Sequence, residues 1–333
     1  MPNYRIKLER LDEKLTAGVK TVRLGDKKFN TPFKSFSKSG ANGVVEVFST
    51  FSEENLRKAY SGKSNLDRIP RLCKQNSVNL IVPSYADTKI TDREMSIMEN
   101  RIHPHTDAVI IPRWDGILSN DSDSKLAEDL CDVTNRYIEE VRRINGKLII
   151  GNIPLNKSQS VVDALLKNYL ERGITSFVLD YGRCQVLSKA HFPRNIMKKL
   201  EEYTSDGDYL LYSMNMKKSH DRKNIKPADD FLTFANGFDI IGNFHLSAGG
   251  KVGTGKVFSP TDWTYREVPV SGTGYEDLKN WNERVMNAEA ENVRDEILDS
   301  GTAMNLAKTK PGAYEYTRSL NQTTLDTCGL SWI

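Results

Sequence analysis

The sequence has few side chains that bind metals or form disulfides, with four cysteines and five histidines in 333 residues. The cysteines (Cys73, Cys131, Cys184 and Cys328) lie far apart, and no C-x-x-C pair or Cys/His cluster occurs. We therefore expect neither a disulfide nor a structural zinc site. No residue is assigned to a metal, and no motif points to a cofactor.

Long apolar runs are also missing, since none approaches the roughly 18 residues that a membrane-spanning helix needs. The first residues, MPNYRIKLERLDEK, are charged, unlike a secretory signal. The net charge of +3 is too small to indicate a polyanionic partner by itself. We expect a soluble, cytoplasmic protein that does not bind membranes.

Two loop-like segments suggest phosphate binding, each with a simpler alternative. The segment GGKVGTGK at 249–256 lacks the spacing and the Ser/Thr of a phosphate-binding P-loop, so we expect a hairpin or loop. The segment NMKKSHDRKNIK at 215–226 holds five Lys/Arg directly after a predicted strand. It fits either a seat for phosphates or a solvated charged loop.

Short apolar runs alternate with amphipathic segments, which predicts parallel strands joined by helices. The predicted strands are 32–37, 43–50, 78–84, 107–112, 147–153, 176–182, 208–214 and 238–244. Helical spacing is clearest in 124–145, 164–172 and 195–203. Eight strands favour a (β/α)₈ TIM barrel over an open doubly wound sheet.

The organisation along the chain predicts one main domain with an addition at each end. We expect an N-terminal hairpin or cap over 1–30, the barrel over 31–265, and a C-terminal helical extension over 266–333. The extension contains one long helix, 274–300, rich in Glu, Asn and Arg.

Three stretches resemble the tRNA-guanine transglycosylase family. They are VRLGDKKFNTPFKSF at 22–36, DYLLYSM at 208–214 with KPADDFLTFANGFD at 226–239, and WNERVMNAEAENVRDEILDSG at 281–301. Their order is similar to that of the family's opening hairpin, its Lys-Pro segment before the last strand, and its late helix. The resemblance implies a barrel that exchanges guanine in tRNA for a 7-deazaguanine through an aspartate nucleophile.

The chain departs from the family where the chemistry takes place. The family's nucleophile, three residues beyond the Asp of Gly-x-Asp, corresponds to Gly242, whereas a shifted alignment gives that role to Asp239. Asp87 is the candidate for the acid/base carboxylate. The family's base-reading aspartate falls at Arg113, with Asp115 two residues later, and its Cys-x-Cys-x-x-Cys zinc module is absent.

Residue types at the ends of the predicted strands point to the same region. Asp87, Asp115, Asp180 and Asp239 lie at or just beyond the C-terminal ends of predicted strands, where barrel active sites form, although aspartates at such ends also cap the following helix. Trp114 and Tyr181 could sandwich a flat base or close the barrel mouth as ordinary hydrophobic residues. The candidate catalytic residues are Asp239 and Asp87. The candidate substrate-binding residues are Arg113, Trp114, Asp115, Asn152, Asp180, Tyr181, Gly182 and Gly242.

Three functions stay open at this point. The first is a transglycosylase that exchanges guanine or 7-deazaguanine bases in tRNA or another nucleic acid. The second is a degenerate relative that binds a purine or 7-deazaguanine without turnover, as a partner subunit or in a modification or antiviral-defence operon. The third is an unrelated barrel enzyme. A homodimer through 281–301 or a complex with another protein subunit is compatible with the first two.

The scattered thiols generate a prediction about metal content. Purified protein should contain no stoichiometric zinc, because no cluster of cysteine and histidine ligands is encoded. Elemental analysis of the purified chain measures this directly. About one zinc ion per chain would contradict the interpretation of the cysteines.

Overall fold

The structure is a computed structural model. It describes residues 3–37, 43–60, 68–119, 123–144, 146–204, 207–217, 225–246, 253–272 and 274–326, without the side chains of 225 and 321–326. It is a mixed α/β fold whose largest sheet has nine strands. The chain divides into two compact units. Unit 1 comprises Met1–Arg5, Val22–Phe29 and Ser37–Val178, and unit 2 comprises Ile6–Thr21, Asn30–Phe36 and Leu179–Ile333.

The N-terminal residues form a three-stranded sheet in the order β1-β2-β3, where the sequence predicted a hairpin or cap. These strands are β1 (Tyr4–Leu11), β2 (Gly18–Leu24) and β3 (Lys27–Asn30). The next strand in the chain is β4 (Phe33–Lys34), which belongs to the large sheet.

Unit 1 is built on parallel strands whose side chains are buried on both faces. Its strands are β5 (Val44–Phe51), β6 (Val78–Tyr85), β7 (Ala108–Ile110), β8 (Arg113–Trp114) and β9 (Leu148–Pro154). They lie in the order β9-β7-β6-β5, with β8 also paired to β6, and the β5–β6, β6–β7, β6–β8 and β7–β9 pairings are parallel. All eight residues of β6 are buried, as expected for a strand covered by helices.

The helices of unit 1 follow these strands in the predicted alternation. They are α1 (Glu53–Tyr60), α2 (Arg68–Leu72), α3 (Asp92–Ile102), α4 (Asp115–Leu118), α5 (Asp123–Ile144) and α6 (Gln159–Glu171). A capping box of Thr91 and Glu94 starts α3. The face of α5 that carries Leu126, Leu130 and Val133 is buried, so the predicted helix over 124–145 is confirmed.

Unit 2 continues the parallel pattern. Strand β10 (Ser176–Asp180), which contains the division between the units, is followed along the chain by β11 (Leu211–Met214) and β13 (Ile240–Ile241). The order is β4-β13-β11-β10, and β13 pairs in parallel with both β11 and β4. Two of the strands predicted from the sequence, 32–37 and 238–244, are therefore neighbours in the sheet. Among the described strands, the order of the large sheet begins with β4 and ends with β5.

A second sheet and four helices complete unit 2. The sheet is antiparallel, in the order β12-β15-β14. Its strands are β12 (Ile225–Pro227), β14 (Thr254–Ser259) and β15 (Thr264–Pro269), and the helices are α7 (His191–Tyr203), α8 (Gly274–Ser300), α9 (Met304–Lys308) and α10 (Pro311–Asp326). The predicted boundary at 265/266 falls inside β15, and three helices follow this strand. Strands β14 and β15 form an antiparallel hairpin. Residues 249–252 of the segment 249–256, for which a hairpin or loop was expected, lie outside the described residues, and 254–256 belong to β14.

The core of unit 2 contains a cluster of aromatic rings that joins the second sheet to the 3₁₀ segment Phe231–Asn236. The ring of Phe231 lies 5.4 Å from that of Trp263 and 5.2 Å from that of Phe258. Trp263 is fully buried, and its indole donates a hydrogen bond to Glu289 on α8 at 2.6 Å. This contact fixes α8 against the hairpin. Within the described ranges, no helix combines the length and apolar character that crossing a bilayer requires.

The close approach of α4 to the loop after β6 requires a glycine. A Cβ atom on Gly116 would lie 2.2 Å from the backbone carbonyl of Asp87, so Gly116→Ala should destabilise the protein by about 1–3 kcal/mol. Gly146→Ala is the matched control, because a Cβ there meets nothing within 4 Å. Urea unfolding of both variants measures the difference, and equal stabilities would contradict the close packing.

Candidate functional site

A cavity lies where β13 ends in unit 2. Gly242 follows β13, and its backbone amide donates to the carbonyl oxygen of Ser213 at 2.8 Å. The cavity has a volume of about 370 Å³. Its walls include Lys34, Asp230, Gly242, Asn243, Tyr265 and Met286, and we call it the Gly242 cavity.

Lys34 brings a buried positive charge to the Gly242 cavity. Its side chain extends from β4, and its ammonium donates to the carbonyl oxygen of Gly242 at 2.7 Å and to Oδ1 of Asn243 at 2.8 Å. A third, longer bond of 3.3 Å reaches the carbonyl oxygen of Ile241. These acceptors stabilise the charged form of a lysine that is only 4% exposed. The cavity wall therefore carries a fixed cation.

Asp230 and Tyr265 form a second polar contact in the same wall. The Tyr265 hydroxyl donates to both carboxylate oxygens of Asp230, at 2.9 and 2.8 Å. The backbone amide of Phe231 donates to Oδ1 at 2.9 Å, so Asp230 also caps the 3₁₀ segment. Burial, followed by the nearby Asp230 charge, raises the pKa of Tyr265 well above its usual value. Tyr265 thus stays protonated, as a donor to the carboxylate.

A hydrogen-bond network joins the ends of β10, β11 and β13 in unit 2. The amide group of Asn215 donates to Oδ1 of Asp180 at 3.0 Å, and the backbone amide of Gly182 donates to the same oxygen at 2.9 Å. Asn215 also donates its backbone N–H to the carbonyl of Asn243, and its Oδ1 accepts from the amide of His245. Through Asn215, the network connects Asp180 to the residue that follows Gly242.

Backbone strain is concentrated in this network. Asn215 (φ 56°) and Arg183 (φ 73°) both adopt left-handed conformations, which non-glycine residues seldom do. Gly182, at φ 51°, supplies a third left-handed residue at low cost. Strained backbone is more common at functional sites than elsewhere, so this edge is a strong candidate for ligand binding.

Tyr181 lies in the core beside this network. It is fully buried, with its ring 6.1 Å from that of Phe238. Its hydroxyl has no hydrogen-bond partner among the described residues. Burial raises the pKa of Tyr181, so the group stays neutral. These surroundings suit a packing residue, the second of the two roles considered for Tyr181.

Asp239 lies at the amino end of β13. The sequence had placed it among the carboxylates at or just beyond the C-terminal ends of strands. Its Oδ2 accepts from the Lys20 ammonium at 2.9 Å and from the backbone amide of Leu211 at 2.9 Å, and its Oδ1 accepts from the Thr31 hydroxyl at 3.2 Å. Burial raises the pKa of Asp239, while Lys20 and the hydrogen bonds act in the opposite direction. Both carboxylate oxygens are engaged in contacts that hold the fold together.

The two candidate carboxylates of unit 1 also have structural partners. Asp87 accepts a 2.7 Å hydrogen bond from the backbone amide of Glu53, the first residue of α1. It therefore binds the start of a helix that precedes it in the chain, whereas the helix that follows it, α3, is capped by Thr91. Asp115 accepts a short hydrogen bond from the hydroxyl of Ser84. Its Oδ1 lies 2.7 Å from Nε of Arg113. An ion pair with Arg113 orients Asp115.

The remaining candidates of unit 1 surround a small void. Trp114 is 3% exposed, donates to Thr134 at 3.3 Å, and contacts Tyr137 edge to face, so it packs as a core residue. Arg113, Trp114 and Asn152 line a void of about 10 Å³, the size of one water molecule. The side-chain nitrogen of Asn152 has no partner within the described part of the chain. The void is too small for a base.

Seven of the ten predicted site residues form two groups. Arg113, Trp114, Asp115 and Asn152 lie together in unit 1, and Asp180, Gly182 and Gly242 lie around the connected strand ends of unit 2. Sequence reasoning missed Lys34, Asp230 and Tyr265. A lysine inside the apolar run PFKSFS and the paired acids of KPADD were the available signals.

The basic segment 215–226 and the four cysteines are only partly included in the described residues. Residues 218–224 of the basic segment 215–226, and Cys328, lie outside the described residues. In the described ranges, no group of three or more His, Cys, Asp or Glu side chains is arranged to hold a metal ion.

The Lys20–Asp239 ion pair generates a stability prediction. Asp239→Ala should cost about 3–5 kcal/mol, because it leaves the buried Lys20 ammonium without its anion. The double variant Lys20→Met/Asp239→Leu should recover much of this loss. Glu171→Gln, which removes the exposed partner of Lys167, is the control and should cost no more than about 1 kcal/mol. Chemical denaturation measures all three, and an unchanged stability for Asp239→Ala would contradict the structural role.

No protein-family model matches the chain, and no curated protein matches it either. The function is accordingly inferred from the contacts of the site itself.

Proposed function

We propose that the protein is a transglycosylase-like (β/α)₈ barrel that binds a purine or 7-deazaguanine base in the Gly242 cavity without exchanging it. The observation that carries the proposal is the cavity beside Gly242, together with the commitment of Asp239 to Lys20, Thr31 and Leu211. The parallel strands and the β4–β13 pairing support the barrel.

The size and walls of the cavity suit a flat heterocycle. Its volume of about 370 Å³ falls in the range of small-molecule pockets. Met216, Phe244 and Met286 supply apolar and aromatic surface, while Lys34 and Asp230 supply charge. A few polar groups in a partly apolar cavity are typical of a site that orients a ligand.

The position of Asp239 supports binding without exchange. Attack on the C1′ carbon of a ribose requires a charged oxygen held close to that carbon. Gly242 has no side chain, and the carboxylate of Asp239 is buried in an ion pair at the other end of the strand. Base exchange through Asp239 would require this ion pair to break.

The partner that we propose is a nucleic acid, tRNA among the candidates, that carries the base. Lys256 and Lys279 also line the Gly242 cavity and would lie near the phosphates of a nucleotide bound there.

A homodimer through α8 or a complex with another protein subunit would be compatible with this role. Trp281 on α8 is half exposed, which suits a contact surface.

Calorimetric titration with 7-deazaguanine tests the proposal. Wild-type protein should bind the base, and Gly242→Leu should reduce the affinity at least about tenfold by filling the cavity. Gly146→Leu, at an open position, is the control and should bind like wild type. Labelled guanine should not enter tRNA or DNA, and no covalent adduct with nucleic acid should form. Failure of wild type to bind any purine, or capture of a covalent adduct, would contradict the proposal.

A further inference from the structure

We propose that the N-terminal part of α8, residues 274–282, is a gate that opens and closes the Gly242 cavity. The rest of α8, residues 283–300, is the fixed part from which the gate opens. The inference concerns access to the cavity, and it rests on the proposed function only in taking the cavity as a ligand site. It does not depend on which molecule is bound.

The gate forms one wall of the Gly242 cavity. Tyr275, Leu278, Lys279 and Asn282 line the cavity. Their spacing of three and four residues places them on one face of the helix. Other parts of the wall belong to β14 and to the residues that follow β13. Displacement of the gate therefore opens the cavity on the side of α8.

Burial changes abruptly within α8. All nine residues of 274–282 are described, and none of them is buried. From Glu283 onward, successive turns carry buried side chains, among them Met286, Val293 and Ile297. Segments with few buried apolar contacts open locally at a lower free energy than the core does. The N-terminal part of α8 is therefore the part that separates first.

Polar contacts fix the later part of α8 to two other elements. The side-chain amide of Asn287 accepts from the backbone amide of Lys34 at 3.0 Å and donates to its carbonyl oxygen at 2.7 Å. Glu289 accepts the indole N–H of Trp263 at 2.6 Å and lies 3.3 Å from the Lys310 ammonium. These contacts keep the helix attached to β4 and to the hairpin of β14 and β15 while its first turns move.

Asn282 is the latch of the closed gate. Its Oδ1 accepts from the backbone amide of Phe258 at 2.8 Å, and its Nδ2 donates to the carbonyl oxygen of Lys256 at 2.7 Å. Both backbone groups belong to β14, which ends the order of the antiparallel sheet. The amide side chain thus pairs with this edge as a neighbouring strand would. Near the start of α8, the Tyr275 hydroxyl accepts from the backbone amide of Gly253 at 2.8 Å.

Leu278 closes the gate by packing against Gly255. A Cβ atom at Gly255 would lie 2.4 Å from Cδ2 of Leu278 and 2.7 Å from Cγ2 of Val270. The helix reaches β14 this closely because position 255 has no side chain. Gly255→Ala should therefore displace Leu278 from the strand and leave the gate partly open, without removing the hydrogen bonds of Asn282.

Hydrogen exchange of the ligand-free, full-length protein tests whether the gate opens by itself. The amides of 278–282 should exchange at least about tenfold faster than those of 287–297. Asn282→Ala should raise exchange in the gate and at the Phe258 amide about tenfold to a hundredfold, since two hydrogen bonds are lost. Exchange in 287–297 and the urea midpoint should change little. Asn280→Ala is the matched control, because Asn280 lies on the same helix and does not line the cavity.

A thiol at position 286 measures access to the cavity without a ligand. Met286 lines the cavity and is 1% exposed. In a Met286→Cys background, iodoacetamide should label position 286 about tenfold to a hundredfold faster when Asn282→Ala or Gly255→Ala is added, because labelling follows exposure of the thiol. Adding Asn280→Ala should leave the rate unchanged. Mass spectrometry of the labelled peptides distinguishes position 286 from the native cysteines.

Every outcome counts for or against the gate. If 278–282 exchange at the same rate as 287–297, α8 opens as one unit and the inference is wrong. It is also overturned if Asn282→Ala speeds exchange equally throughout the protein, or if labelling at position 286 responds to neither added variant. If Met286→Cys does not fold, the exchange rates alone decide. A wild type that binds no purine removes the proposed function, whereas the exchange and labelling rates still decide the gate.

Discussion

Strand β13 pairs in parallel with β11 on one side and with β4 on the other. These pairings fix the positions of the residues at both ends of the strand. The strand runs from Asp239 at its amino end to Gly242 beyond its carboxyl end, about 10 Å apart for three residues of extended chain. Lys20 and Thr31 bind Asp239 at the first end, and the cavity opens at the second. Three residues of sequence thus separate a structural ion pair from the Gly242 cavity.

Lys34 and Asp230 bring opposite charges to the wall of the Gly242 cavity in unit 2, which Glu283, Lys256 and Lys279 also line. Lys34 is held by carbonyl and amide oxygens, and Asp230 by a tyrosine hydroxyl and a backbone amide. Both groups are almost fully buried, so their charges are screened little by water.

The sequence predicted the regular parts of the fold well. The alternation of apolar runs and amphipathic helices identified β6, β9 and α5, because burial of a strand on both faces leaves a continuous apolar run and burial of one helix face leaves a helical period. The antiparallel sheet of β12, β15 and β14 was missed in part, because its half-exposed strands have weak patterns.

The site was harder to predict, for a physical reason. An aspartate beside a predicted strand has the same sequence signal whether it caps a helix, as Asp87 does, or lies in a buried ion pair, as Asp239 does. Which end of a short strand a residue occupies decides between these roles. Lys34 was overlooked because a lysine in an apolar run is usually read as an exposed position, and only the fold shows the carbonyl oxygens that bury it.

The most direct measurement is a crystal structure of the protein soaked with 7-deazaguanine. Our account predicts density for the intact base in the Gly242 cavity, with the Lys20–Asp239 ion pair unchanged. Density for the base elsewhere, or a covalent bond from Asp239 to a sugar after soaking with a nucleoside, would contradict it.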